Sequence, residues 1–232
     1  FLDADVIAAE GLLDAVTARA DADAPALVSV QPWHVPGAPI EQLSLFGNLV
    51  ALMGTGRWSA IGVGRSAPLA FGPVIAMPLE QYRDCGGHGH ADVRGAVVED
   101  VALARVVGSS EIYAGRPLAS FRMYPGGFRD LVDGWTRVLS AGVGAAPWWA
   151  TAATAGWIWA AASAPFVGWW AYLLAAVQVG VLGRRAGRFS PVAAAVYPIP
   201  LVVFLAIAVR SVMGRVARRP VRWKGRTIPP RS

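Results

Sequence analysis

Two carboxylates one residue apart, Asp3 and Asp5, close the segment Phe1-Leu-Asp-Ala-Asp-Val6. Along an extended strand residues i and i+2 project to the same side, so the pair is expected to offer two hard oxygen ligands on one edge. Such an edge suits Mg²⁺ or Mn²⁺ carrying a diphosphate. The competing reading is structural, because an Asp after a strand often caps the helix that follows. A second acidic pair, Glu99-Asp100, lies between Val97-Val98 and the apolar run Val101-Ala-Leu-Ala-Arg-Val-Val107, again where a strand would hand over to a helix. Capping and the helix dipole account for acids there too. The functional reading holds Glu99 near a donor sugar and makes Asp100 the base that takes a proton from the attacking acceptor group. His88 and His90 precede that pair in the loop Gly86-Gly-His-Gly-His-Ala-Asp-Val-Arg-Gly95, and His88 is expected to contact donor or acceptor. A histidine metal site built with His34 is not needed, since the carboxylates already provide for a hard cation.

These groups need an α/β framework. Short apolar runs, Leu27 to Val30 and Val74 to Met77, read as strands, and they alternate with helical stretches and Gly/Pro turns. Leu43, Phe46, Val50 and Met53 recur on one helical face. The opening run at Phe1 reads as a buried strand wanting neighbours on both sides, so a further amino-terminal portion is expected to precede it. The single cysteine, Cys85, excludes an internal disulfide framework.

Of the 232 residues 55% are hydrophobic and only 16% charged, too apolar for an ordinary soluble domain of this length. The acidic residues end at Asp133, and Val138 to Gly183 carries no charge. That run divides at Ala162-Ser-Ala-Pro165 into two segments of roughly 20 residues, each long enough to cross a bilayer and each with Trp near an end. A third apolar segment, Pro191 to Val209, contains Pro198 and Pro200 and is expected to kink or re-enter. Between Tyr124 and Ser140, Phe128, Leu131, Val132, Trp135, Val138 and Leu139 share one helical face opposite Arg129, Asp130, Asp133 and Arg137. Placed just before a charge-free run, this amphipathic helix is expected to lie in the membrane interface, or else to pack on the domain. The net charge of +6 gathers at Arg184, Arg185 and Arg188 and from Arg210 to Arg231. Beside apolar segments that placement fits a cytoplasmic membrane face and not a nucleic-acid footprint.

Taken in order, Phe1-Leu-Asp-Ala-Asp-Val6, the loop and acidic pair from Gly86 to Ala104, Tyr124-Pro-Gly-Gly-Phe-Arg-Asp-Leu-Val-Asp-Gly-Trp135, the apolar spans and Val221-Arg-Trp-Lys-Gly-Arg226 resemble the membrane-bound family-2 glycosyltransferases of the type-A fold. Within them the chain resembles the branch that includes the carotenoid and hopanoid glycosyltransferases. The resemblance implies a partial type-A, Rossmann-like α/β domain over residues 1–123, an interfacial helix over 124–141, a multi-pass transmembrane region over 142–214 and a basic cytoplasmic tail over 215–232. It implies a metal and donor-diphosphate motif at Asp3 and Asp5, Asp100 as catalytic base, a nucleotide-sugar donor, a membrane lipid acceptor and a cytoplasmic catalytic domain at the cell membrane. Arg129 and Trp135 would border the acceptor, although an interfacial anchor explains Trp135 equally well. Trp223 and Arg226 would fold back toward the phosphates or grip lipid headgroups. Processive polysaccharide synthases of the family carry Gln/Arg-x-x-Arg-Trp on the interfacial helix, and here Gly134 stands before Trp135, which argues against polymerisation. A non-catalytic membrane scaffold, with both acidic pairs as caps, is the rival from another class.

Overall fold

The computed structural model describes residues 1–21, 27–56, 68–96, 98–114, 118–142, 146–217, 221–223 and 226–228; for 141, 142 and the last two segments it describes the backbone alone. The chain is mixed α/β in its first half and helical in its second. Strand β2 (Leu27–Gln31) runs between β4 (Val74–Ala76), antiparallel, and β5 (Ser110–Ala114), parallel. Every residue of β2 is buried because both faces are covered. Val28 and Val30 pack with Leu12 and Val16 of α1 (Leu12–Ala20), while Leu27 and Ile75 pack with Leu103 and Ala104 of α4 (Glu99–Val107). A second small sheet has the order β1 (Val6–Ala8), β6 (Ala119–Phe121), β3 (Trp33–His34).

The expected strands at Leu27 and Val74 are present, but the opening segment departs from expectation. Leu2 bridges to Val74, the chain turns at Ala4-Asp5, and β1 starts only at Val6. The Val6 N–H donates to the Asp3 carbonyl at 3.1 Å, closing that turn. A turn, and not strand alternation, therefore sets the directions of Asp3 and Asp5, and Phe1 to Asp5 is exposed rather than buried. The helix expected from Ile40 likewise splits, with a 3₁₀ segment at Pro39–Ser44 and α2 at Leu45–Gly54 buried through Leu45, Phe46, Leu49 and Leu52.

Helices α5 (Phe128–Gly142), α6 (Trp148–Val167), α7 (Trp169–Ala186), α8 (Pro191–Ala195) and α9 (Pro198–Val216) form the second layer around α2. Helix α5 is where the amphipathic pattern put it, yet its apolar face looks inward. Leu131 and Trp135 are 0% and 3% exposed and pack with Ile207 of α9. The Trp135 ring lies on Gly47 of α2, and its Nε1–H donates to Ser44 Oγ at 3.2 Å. Leu131 and Trp135 on that face therefore pack on the protein, as the packed alternative expects, while Phe128 on the same face is exposed.

The charge-free run breaks at Gly168 (φ 149°), three residues beyond Pro165. A proline inside a helix strands the carbonyl four residues earlier. Here that carbonyl, on Ala161, accepts the buried Tyr197 hydroxyl at 2.9 Å, and the helix passes through. Pro198 and Pro200 fall in the first turn of α9, where a missing N–H has no helical carbonyl to bond, so they leave it unbroken. Among the described residues α9 is the one helix both long and apolar enough to cross a membrane. Helices α6 and α7 have the length, but Trp, Thr and Gly in α6 and Gln178, Arg184 and Arg185 in α7 lower their apolarity.

Helix α7 returns to the sheet layer. The Arg188 N–H donates to the His34 carbonyl at 2.7 Å, and the Trp33 indole N–H donates to the Arg184 carbonyl at 3.3 Å. Trp149, at the start of α6, lies against Gly56 just beyond α2. The α6–α7 hairpin thus leaves and rejoins the α/β layer.

Candidate active site

Four consecutive residues, Gly72 to Ile75, link three of the groups that the sequence singles out, Asp3 and Asp100 directly and His88 through Phe1. They turn into β4 after Phe71, whose N–H and C=O are both held by Ser29 Oγ at 2.6 and 3.0 Å. Gly72 lies against the Asp100 carboxylate, and a Cβ there would sit 3.1 Å from Oδ2. The Pro73 carbonyl accepts the Asp3 N–H at 2.9 Å, Val74 bridges to Leu2, and Ile75 exchanges backbone bonds with Phe1 at 2.7 and 3.0 Å. The Phe1 ring meets His88 edge-on at 4.9 Å. Four strand residues span about 10 Å, so Asp100, Asp3 and His88 are tied to one short segment on the scale of a sugar diphosphate.

Asp100 is the second residue of α4, after Glu99; the N-cap is Val98, which makes no side-chain bond. Its Oδ1 accepts the Val101 N–H at 2.8 Å. Burial pushes its carboxyl up from the ordinary 3.8 to about 6. The N–H groups of Val101 and Gly72 pull the other way and the charge of Glu99 adds to the rise. Burial thus opposes ionisation of this carboxyl more strongly than the backbone N–H groups at the start of α4 favour it. Glu99 beside it is exposed, as are Asp3 and Asp5.

His88 is fixed by Tyr82 of α3 (Leu79–Asp84), whose hydroxyl lies 3.0 Å from Nδ1 and accepts the His88 N–H at 3.1 Å. Gly86 and Gly87 adopt left-handed backbone at φ 77° and 50°. A Cβ on Gly87 would run into the Tyr82 ring, which is why the loop carries glycine there. His90 does not join this group. With Asp92, Ala102, Arg105 and Val106 it lines an open depression on another face of α4. Among the described residues no three His, Cys, Asp or Glu side chains cluster as metal ligands.

The remaining sequence candidates lie elsewhere. Arg129 is exposed in the first turn of α5. Trp135 is enclosed by Ser44, Gly47 and Tyr124 and has no open face for an acceptor. Trp223 and Arg226 lie in the hairpin β7 (Val221–Trp223) and β8 (Arg226–Ile228), and their side chains are outside the described residues. Gly72, Tyr82 and Tyr124 were missed. The Gly72-Pro73 dipeptide before an apolar run was a readable turn signal, and a glycine pair four residues after Tyr82 was a readable sign of close packing. Nothing in the sequence marks Tyr124, the described non-glycine residue with positive φ (57°), whose ring covers Gly134.

The chain is 31% identical to the 4,4'-diaponeurosporenoate glycosyltransferase of Staphylococcus aureus strain MRSA252 over an alignment of 249 residues, covering 97% of this chain and 65% of that protein. It is also 31% identical to the protein of the same name from strain USA300, over 219 residues, 86% of this chain and 58% of the relative. The chain thus spans less than two thirds of the length of these relatives. No family model and no solved structure matches it.

Proposed function

We propose that the chain is a member of the family of the 4,4'-diaponeurosporenoate glycosyltransferases, to which it is 31% identical, and that it carries catalytic groups of an inverting glycosyltransferase with a type-A, Rossmann-like domain. The reaction moves a hexose from a nucleotide diphosphate sugar, in the first instance a UDP-sugar, to a carotenoid-type or other lipid acceptor in the membrane. The observation that carries this reading is the approach of Asp3 and a half-buried Asp100 to Gly72 and Pro73, with His88 joined to the same segment through Phe1.

Asp100, ionised above about pH 6, accepts the proton of the attacking hydroxyl as the bond from sugar to diphosphate breaks. A carboxylate acceptor, as the relatives' name describes, arrives without that proton and relies on Asp100 less. Asp3 and Asp5 fit a hard cation. Both carboxylates are exposed and, among the described residues, no third ligating side chain joins them, which suits Mg²⁺ or Mn²⁺ that would keep water and take its other ligands from phosphate oxygens. Such a cation, when bound, offsets the charge developing on the leaving diphosphate. Glu99 borders the sugar, and Arg129 is an acceptor contact at the open end of α5. The proposed role for Trp223 and Arg226 is at the phosphates. Polymerisation is disfavoured, because the Tyr124 ring occupies the space that an arginine at 134 would need.

The helical layer supports a membrane placement. Trp148 and Trp149 mark one end of the α6–α7 hairpin and Trp169 and Trp170 the other, all of them exposed. The helices are roughly 30 and 27 Å long at 1.5 Å per residue, the thickness of a hydrocarbon core. Leu173, Leu174, Val177 and Val181 form a bare apolar face between those belts. With α6, α7 and α9 in the bilayer, Arg184, Arg185 and Arg188 sit beside the sheet layer, the cytoplasmic side by the positive-inside bias.

The test is transfer from radiolabelled UDP-glucose to lipid extract by the full-length protein in membranes. Loss of transfer to hydroxyl acceptors in Asp100→Asn and in excess EDTA is expected. Full turnover in either sinks the corresponding assignment.

A further inference from the structure

The catalytic roles above leave Tyr82 unused, although the fold holds it against the site. Its hydroxyl is bonded twice to one residue. It accepts the His88 backbone N–H at 3.1 Å and lies 3.0 Å from the same residue's Nδ1. A phenol oxygen that has already accepted one N–H has its own proton left to place, and Nδ1 is the acceptor within reach. With the hydroxyl as that donor, Nδ1 is the accepting nitrogen and Nε2 carries the ring N–H. The rest of the neighbourhood fixes the ring as well as the tautomer. Gly87 admits the Tyr82 ring over the loop, and the Phe1 ring packs against Tyr82 at 5.3 Å and His88 at 4.9 Å. Phe1 is two residues from Asp3, so the imidazole is held beside the turn that carries the paired carboxylates.

We propose that Tyr82 is a positioning residue that locks His88 as an Nε2–H donor toward the diphosphate of the nucleotide sugar, an inference that rests on the glycosyltransferase reading. The hydrogen bond is directional, and it suits a diphosphate oxygen whose charge a cation held by Asp3 and Asp5 would share. A histidine free to change tautomer would present a lone pair to the same oxygen part of the time.

Two measurements on the full-length protein test this. The first is the ¹⁵N signature of the His88 ring in histidine-labelled protein, with the resonance identified by its loss in His88→Gln. The wild type should show one tautomer, protonated at Nε2, and Tyr82→Phe, which keeps the ring packing, should show a mixture. The second is binding of UDP with Mg²⁺. Tyr82→Phe should weaken it on the order of tenfold, as loss of an orienting partner does. His88→Gln, whose amide N–H reaches the Nε2 position, should retain most of the affinity, and His88→Asn should lose it. In the His88→Gln background Tyr82→Phe should then cost nothing further. An unchanged tautomer in Tyr82→Phe, or equal affinity in wild type, Tyr82→Phe and His88→Asn, overturns the proposal. Failure of the glycosyltransferase reading would appear as a wild-type protein with no affinity for the nucleotide, and the tautomer measurement still decides the role of Tyr82.

Discussion

Replacing Asp100 by Asn should make the protein more stable while removing its activity toward hydroxyl acceptors. Burial raises the Asp100 carboxyl from 3.8 to about 6 in the folded state. At 1.36 kcal/mol per pH unit the ionised side chain therefore opposes folding by about 3 kcal/mol above pH 6. The sign follows from proton uptake. Between pH 4 and 6 the folded protein binds a proton that the unfolded chain has released, so stability declines as pH rises through that window and stays reduced above it. Asn carries no charge and escapes the penalty. It keeps one acceptor oxygen for the three backbone donors, the N–H groups of Val101, Gly72 and residue 100 itself, and leaves part of that set unmet, at a cost of about 1 kcal/mol. The net gain is about 2 kcal/mol at pH 8 and falls away toward pH 4. Thermal unfolding of both proteins in detergent at pH 8 and pH 4.5 measures it, alongside transfer assays at pH 8. An Asn variant less stable than wild type at pH 8 would show that Asp100 acts as a helix-terminal stabiliser, and retained hydroxyl transfer would show that it is not the base.

Three further outcomes follow from the packing. His34 is wholly buried between Phe121 and Phe189 with neither ring nitrogen bonded, and burial pushes it down to about 4; as pH falls from 6.5 to 4 the unfolded chain gains a proton that the folded one refuses, costing about 3 kcal/mol, and His34→Leu should flatten that part of the wild-type stability profile, a persistent slope counting against it. Tyr197→Phe strands the Ala161 carbonyl beneath Pro165 and should cost about 1–3 kcal/mol, seen as a lower Tm, with no change meaning that the carbonyl finds another donor. Gly134→Ala drives a methyl into the Tyr124 ring and should destabilise by about 1–3 kcal/mol despite the better helix propensity of alanine, which an unchanged or higher Tm would refute.

The candidate site was legible from several motifs in order along the chain, since each acidic pair taken alone is also what a helix cap would use. Paired acids at element junctions and a Gly-Gly-His loop singled out Asp3, Asp5, Glu99, Asp100 and His88, and the fold brings Asp3 and Asp100 to one segment with His88 beside it through Phe1. The geometry behind that grouping was not legible. Alternation along a strand was the wrong device for Asp3 and Asp5, because the Asp3 carbonyl accepts the Val6 N–H and turns the chain between them. Gly72 escaped notice because its role is an absence, the missing Cβ that lets Asp100 approach the backbone. Absences of that kind register only when the neighbour that fills them is known.

The helices teach the converse, that period fixes a face but not its solvent. Leu131 and Trp135 share a face on any helical wheel, and a Trp before a charge-free run is also what a membrane interface would select. What distinguishes the two settings is the partner surface, and that surface is spread over distant stretches of sequence: Gly47 gives the indole a flat floor, Ser44 takes its N–H, and Ile207 closes the side. The same non-local logic carries α6 through Pro165, since the hydroxyl that satisfies Ala161 belongs to Tyr197, 36 residues away. In both cases a locally unfavourable residue is tolerated because a polar group from another helix meets it. These contacts join α5 to α2 and α9, and α6 to the start of α9, while α7 is bonded to β3 beside the sheets. An acceptor brought along the apolar layer would therefore meet a catalytic layer whose position is fixed by packing and does not depend on a helix resting loosely in the headgroups.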